Sequence, residues 1–177
     1  MTRTTAREIA LQLGFSVVAS EDFAENVLDE FFDREHYDSL AGESRLFAEY
    51  PDEKQMDYIR RVVGLIYQHR VELDAYIEKY ARGWKVGRIS KTAAAIMRCA
   101  LCEVLYMDDI PNAAAINEAV ELAKGYEDED AVAFINGVLG GFMRGELGGA
   151  EPAPGEGVPV ESTPAGEEVP APAQTEE

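Results

Sequence analysis

Few side chains in this sequence are suited to chemistry, and their spacing limits what that chemistry could be. Cys99-Ala100-Leu101-Cys102 has the CxxC spacing of a redox pair or of half a zinc site. A redox pair belongs at a helix N-terminus after a strand, where the dipole lowers a thiol pKa. Here the cysteines fall mid-helix among Met97, Ala100 and Leu101. A zinc site needs two more ligands, and the only histidines, His36 and His69, have no motif spacing of their own. The pair therefore reads as helix packing. Glu127-Asp128-Glu129-Asp130 could suggest calcium, but it lacks the alternating ligands, central glycine and closing glutamate of an EF-hand loop. A solvated turn, with Asp130 capping the following helix, is the better reading. No glycine-rich phosphate loop, GxSxG elbow or HExxH pair occurs. No catalytic residue, metal or cofactor is expected, and carboxylates without a cleft are no evidence for an enzyme.

The basic residues carry more. Arg3 and Arg7 lie where the first helix begins, and Arg7 in a first turn would oppose the helix dipole. Two arginines reaching past a helix N-terminus suit phosphates, although two ordinary surface arginines would read the same. Arg98, inside an otherwise apolar helix, should sit at a boundary and pair with Glu103 or an RNA phosphate.

Charge divides the chain. Of its 177 residues, with a net charge of −18, Gly148–Glu177 hold seven glutamates, six of the eight prolines, no aromatic residue and no cation. Such a segment cannot bury enough apolar surface to offset the entropy of ordering, so residues 148–177 are expected to be a disordered acidic tail. Residues 1–147 keep a charge of −11, from 16 basic and 27 acidic residues, and form the expected folded domain. Bulk electrostatics therefore disfavours non-specific nucleic-acid binding, and any RNA contact must use a local basic patch. No run approaches a membrane span, and the start lacks an apolar signal region, so a cytoplasmic protein is expected.

The elements that must position these residues are helices. Before the tail only Pro51 and Pro111 interrupt the sequence, and strand-like alternation is scarce. Thr5-Ala6-Arg7-Glu8 has capping-box spacing, so the first helix is expected to open at Thr5, with Ile9, Leu13 and Val17 on one face. A second runs near Asp22–Phe32, and residues 34–52 connect with at most a short helix. From Glu53, Ile59, Val62, Val63 and Ile66 mark a long helix, with a break near His69 before Leu73, Ile77 and Tyr80. Gly83 and Gly87 bracket Trp84 in a turn, and a buried helix follows from Ser90. Asn112 should cap the next, ending at Gly125, and Asp130 the last, with Val132, Ile135, Leu139 and Phe142 on one face. The spacing predicts an all-α fold of six or seven helices.

Ala6-Arg7-Glu8-Ile9-Ala10-Leu11-Gln12, Trp84 with Arg88, Ile96 through Val104, and above all Pro111 with Ala115 through Lys124, then Asp130 and Phe134-Ile135-Asn136-Gly137-Val138-Leu139, recur in one family. In these motifs, spread over about residues 3–143, the chain resembles the NusB transcription antitermination family. The resemblance implies two packed three-helix bundles that bind boxA RNA of nascent ribosomal transcripts. They do so together with NusE, a small-subunit ribosomal protein, and the complex joins RNA polymerase to suppress premature termination. It implies that Arg3 and Arg7 belong to an arginine-rich RNA-binding arm, that Arg98 and Phe134 lie near the RNA path, and that Phe15 and Asp130 face NusE. Phe134 would stack on a base. Three departures bear on affinity. The arm has only two arginines, Phe15 stands where a tyrosine is common, and Thr92-Ala93-Ala94 replaces a charged stretch. RNA binding by the chain alone should then be weak and salt-dependent, with NusE supplying much of the grip. Two other readings are a purely protein-binding helical adaptor and an accessory remnant of an RNA methyltransferase's helical domain.

Overall fold

The computed structural model describes residues 1–20 and 22–148, so the tail expected to be disordered lies, apart from Gly148, outside the described residues. Among the described residues no strand occurs. The helices are α1 (Arg3–Ala19), α2 (Ala24–Phe31), α3 (Arg34–Leu40), α4 (Glu53–Tyr80), α5 (Lys91–Tyr106), α6 (Asn112–Tyr126) and α7 (Glu129–Glu146). Short 3-10 turns at Arg45–Phe47 and Val86–Arg88 interrupt the connections.

α4 is the shared spine. It opens on a full capping box, in which the Asp52 carboxylate accepts from the Gln55 N–H and the Gln55 amide oxygen accepts from the Asp52 N–H, each at 2.9 Å. Ile59, Val62, Val63, Ile66, Leu73 and Ile77 are all buried along it. The break expected near His69 does not occur. Gln68 and Arg70 simply point outward, and the His69 ring stacks on Tyr106 with centroids 4.2 Å apart. α1, α2 and the first part of α4 form one bundle, and α5, α6 and α7 the other, with α4 and α1 both packed on α5. α1 approaches α4 closely at Gly14, where an added Cβ would lie 3.0 Å from Ile66 Cδ1. The connection after α2 is held by aromatic packing. Phe32 stacks on Tyr37, Tyr50 meets Tyr37 edge-on at 4.9 Å, and the Tyr50 hydroxyl donates to the Phe32 carbonyl at 2.8 Å.

The starts of α1 and α7 shift from the expected places for a common reason, the presence of a second equally good cap nearby. Thr2, not Thr5, caps α1, its Oγ1 accepting from the Thr5 N–H at 3.0 Å, so the helix begins three residues earlier than a Thr5 cap would start it. Asp128, not Asp130, caps α7, accepting from the Ala131 N–H at 2.8 Å. Pro111, with extended backbone, takes the position before α6, and Asn112 is already helical. α6 runs past Gly125 to Tyr126. Ser90 caps α5 as expected.

Candidate nucleic-acid and partner surface

The earlier start of α1 moves Arg7 from the first turn to the second and turns its side chain inward. Arg7 is only 8% exposed. Its Nε donates to Glu103 Oε1 at 2.8 Å and its Nη2 to Glu103 Oε2 at 3.0 Å, a bidentate pair joining α1 to α5. Nη1 lies 3.2 Å from Glu118 on α6, which also accepts from Thr4. The Tyr58 hydroxyl of α4 donates to the same Glu103 carboxylate, and the Arg7 guanidinium lies over the Tyr58 ring. Three helices, α1, α4 and α5, thus meet on one fully buried carboxylate, and α6 joins through the Arg7–Glu118 contact. Burial by itself would lower the Arg7 pKa, but the Glu103 hydrogen bonds and the surrounding negative charge outweigh it and hold the guanidinium charged. Burial, reinforced by Glu103, pushes the Tyr58 phenol far up, so it remains a donor.

Arg98 also departs from expectation. Glu103 is taken by Arg7, and Arg98 reaches Asp74 on α4, with Nε to Oδ1 at 2.6 Å and Nη2 to Oδ2 at 3.1 Å. It is 7% exposed. Neither Asp74 nor Tyr58 carries a local signal in the sequence, because both partnerships cross between helices. The cysteines are buried in α5. Burial pushes both thiols up, Cys102 to about 12, the opposite of a redox or metal-ready thiol.

The remaining candidates lie at the surface but do not form one cluster. Arg3, the first residue of α1, is exposed and near enough to Asp109 to help lower that carboxyl's pKa, an effect led by the Arg61 hydrogen bonds. Phe15 is 38% exposed, a large apolar side chain on the outer face of α1. On the same helix Glu8 accepts from the hydroxyl of Tyr126, itself an exposed aromatic residue. Asp130 is exposed in the first turn of α7, and Phe134, one turn on, is half-buried and meets Trp84 at 6.2 Å. Among the described residues no His, Cys, Asp and Glu group is arranged to hold a metal ion, and no helix is long and apolar enough to cross a membrane.

The model of the NusB family matches residues 4–144. The chain belongs to the NusB family. It is 38% identical over 151 residues to the transcription antitermination protein NusB of Acetivibrio thermocellus, an alignment covering 85% of this chain and 94% of the relative. The NusB of Symbiobacterium thermophilum is 37% identical over 150 residues, with the same coverage of both chains. Among solved structures, T. maritima NusB superposes with a TM-score of 0.66 at 25% identity, covering 82% of this chain and 92% of that one. A NusB solved with NusE and double-stranded RNA superposes at 0.62 and 20% identity, covering 80% and 96%, and shares the fold. As a NusB-family chain the protein is a transcription antitermination factor and not an enzyme.

Proposed function

We propose that this NusB-family chain acts in the cytoplasm by binding boxA RNA of nascent ribosomal transcripts jointly with NusE, and that the resulting complex joins RNA polymerase. The observation that carries the reading is the family match over residues 4–144, together with a fold shared with a NusB bound to NusE and RNA. In this reading Phe15 and Asp130 contact NusE, and Arg3 and Phe134 contact RNA. Arg7 and Arg98 serve differently. Each guanidinium is committed to a carboxylate, so they hold α1 and α4 in place around α5 rather than grip phosphate. With Arg7 and Arg98 committed to carboxylates and the domain acidic overall, affinity for RNA alone is low and NusE supplies the rest.

The test is a fluorescence-anisotropy titration of labelled boxA RNA with and without NusE. Tighter binding with NusE, and a preference over a scrambled RNA, is the expected result. Equal binding of boxA and scrambled RNA in the presence of NusE would refute it. The exposed Phe15 and Tyr126, with Arg7 and Arg98 committed to carboxylates, favour a second reading, a purely protein-binding adaptor. NusE binding with no RNA binding under any condition would select that one.

A further inference from the structure

The loop between α4 and α5 stands apart from the rest of this acidic protein. Residues 79–102 hold six cations, Lys79, Arg82, Lys85, Arg88, Lys91 and Arg98, and no acidic residue. Three are spoken for, Lys79 by Glu146, Lys85 by Glu78 and Arg98 by Asp74. Among the described residues Arg82, Arg88 and Lys91 form no ion pair, and all three are exposed. Between Arg82 and Arg88 stands Trp84, the only tryptophan of the chain, 53% exposed and propped edge-on against Phe134. Arg82 and Gly83 both have left-handed backbone, φ 46° and 93°, which ends α4 and turns the chain so that Trp84 projects outward. An arginine rarely adopts that conformation, so the exit from α4 is held against local preference. The strip ends at Lys91, because Ser90 donates to Glu127 and brings up the acidic turn before α7.

We propose that this loop is a binding strip for single-stranded RNA, with Trp84 stacking on a base and Arg82 and Arg88 holding flanking phosphates. An indole between free guanidiniums is the combination that tracks an unpaired strand, since any base offers a face to stack and every nucleotide brings a phosphate. The strip lies beside Phe134 but uses residues other than the arm at Arg3, so it adds a contact to the RNA. It rests on the reading that this chain binds RNA at all.

Because Trp84 is the only tryptophan, its emission reports on this strip, and the full chain with NusE and boxA RNA is the system to use. RNA binding is followed by anisotropy of a labelled strand and, in parallel, by tryptophan emission with the NusE signal subtracted. The proposal expects quenching of Trp84 in step with the anisotropy. Trp84→Ala should weaken binding roughly tenfold, as loss of one stacked base does. Arg82→Ala/Arg88→Ala should also weaken it and lower the slope of log affinity against log salt by about 1.4, at roughly 0.7 for each single-strand phosphate contact. Unchanged melting curves would show that these exposed substitutions leave the fold intact. Normal anisotropy with unchanged Trp84 emission and wild-type affinity in both variants would overturn the strip alone. Absence of any RNA binding would overturn the underlying reading as well. An emission change produced fully by NusE before RNA is added, or abolished by deleting residues 149–177, would assign the strip to a protein partner or to the chain's own tail, and overturn the RNA proposal.

Discussion

Replacing Arg7 by alanine should unfold this domain more readily long before it tells anything about RNA. The substitution leaves Glu103, with 1% of its side chain exposed, buried with Tyr58 as its remaining side-chain donor. Removing one partner of a buried ion pair costs about 3–5 kcal/mol, because the other charge is left uncompensated. The contact with Glu118 adds little, since that carboxylate is 39% exposed and screened by solvent. In a domain of this size each kcal/mol lowers the melting temperature by about 2–4 °C, so Arg7→Ala should melt roughly 6–20 °C lower. The assay is thermal and urea unfolding followed by helix circular dichroism. Arg7→Met/Glu103→Leu is the control, since removing both charges and keeping the volume should recover most of the loss. If Arg7→Ala melts within about 1 °C of wild type while RNA affinity collapses, the ion pair has been misjudged and Arg7 is a phosphate ligand after all.

Other outcomes follow from the same geometry. Cys99 and Cys102 should not react with a thiol reagent at pH 8 in the folded protein and should both react in urea, because burial has raised their pKa values; rapid native-state labelling would contradict this. Hydrogen bonds lower the carboxyl pKa of Asp109 (from Arg61), Glu146 (from Lys79 and Tyr80), Glu78 (from the Val86 N–H and Lys85) and Glu49 (from the N-terminal ammonium). Folded values below the unfolded ones give stability that is fully present above pH 4.5 and lost as pH falls through the folded values, so urea midpoints should hold from pH 7 to 5 and drop below about 4. A midpoint flat down to pH 2.5 would contradict that sign. Gly14→Val should destabilise the domain by about 1–3 kcal/mol, since its side chain would meet Ile66 in the tight contact between α1 and α4, read as a lower urea midpoint.

The helices were legible because burial enforces periodicity. Ile59, Val62, Val63 and Ile66 could mark only one long face, and the motifs from Ile96 to Leu139 led to the family before any contact was known. Helix ends were less so, since Thr2 and Thr5, or Asp128 and Asp130, offer the same chemistry two or three residues apart and only the following backbone decides between them. The roles of Arg7 and Arg98 were the least legible. Their partners lie 96 and 24 residues away along the chain, and a buried arginine and a phosphate-gripping arginine look identical in sequence. Trp84 and its neighbouring cations were visible as residues, but their exposure depends on the left-handed exit from α4.

Antitermination through RNA and NusE can be read out by transcription in vitro. RNA polymerase would read templates with boxA, or a scrambled boxA, upstream of a terminator, with this chain and NusE added singly and together. Raised readthrough is expected only on the boxA template and only with both proteins present. Readthrough that is unchanged by the chain, or equal on both templates, would contradict it.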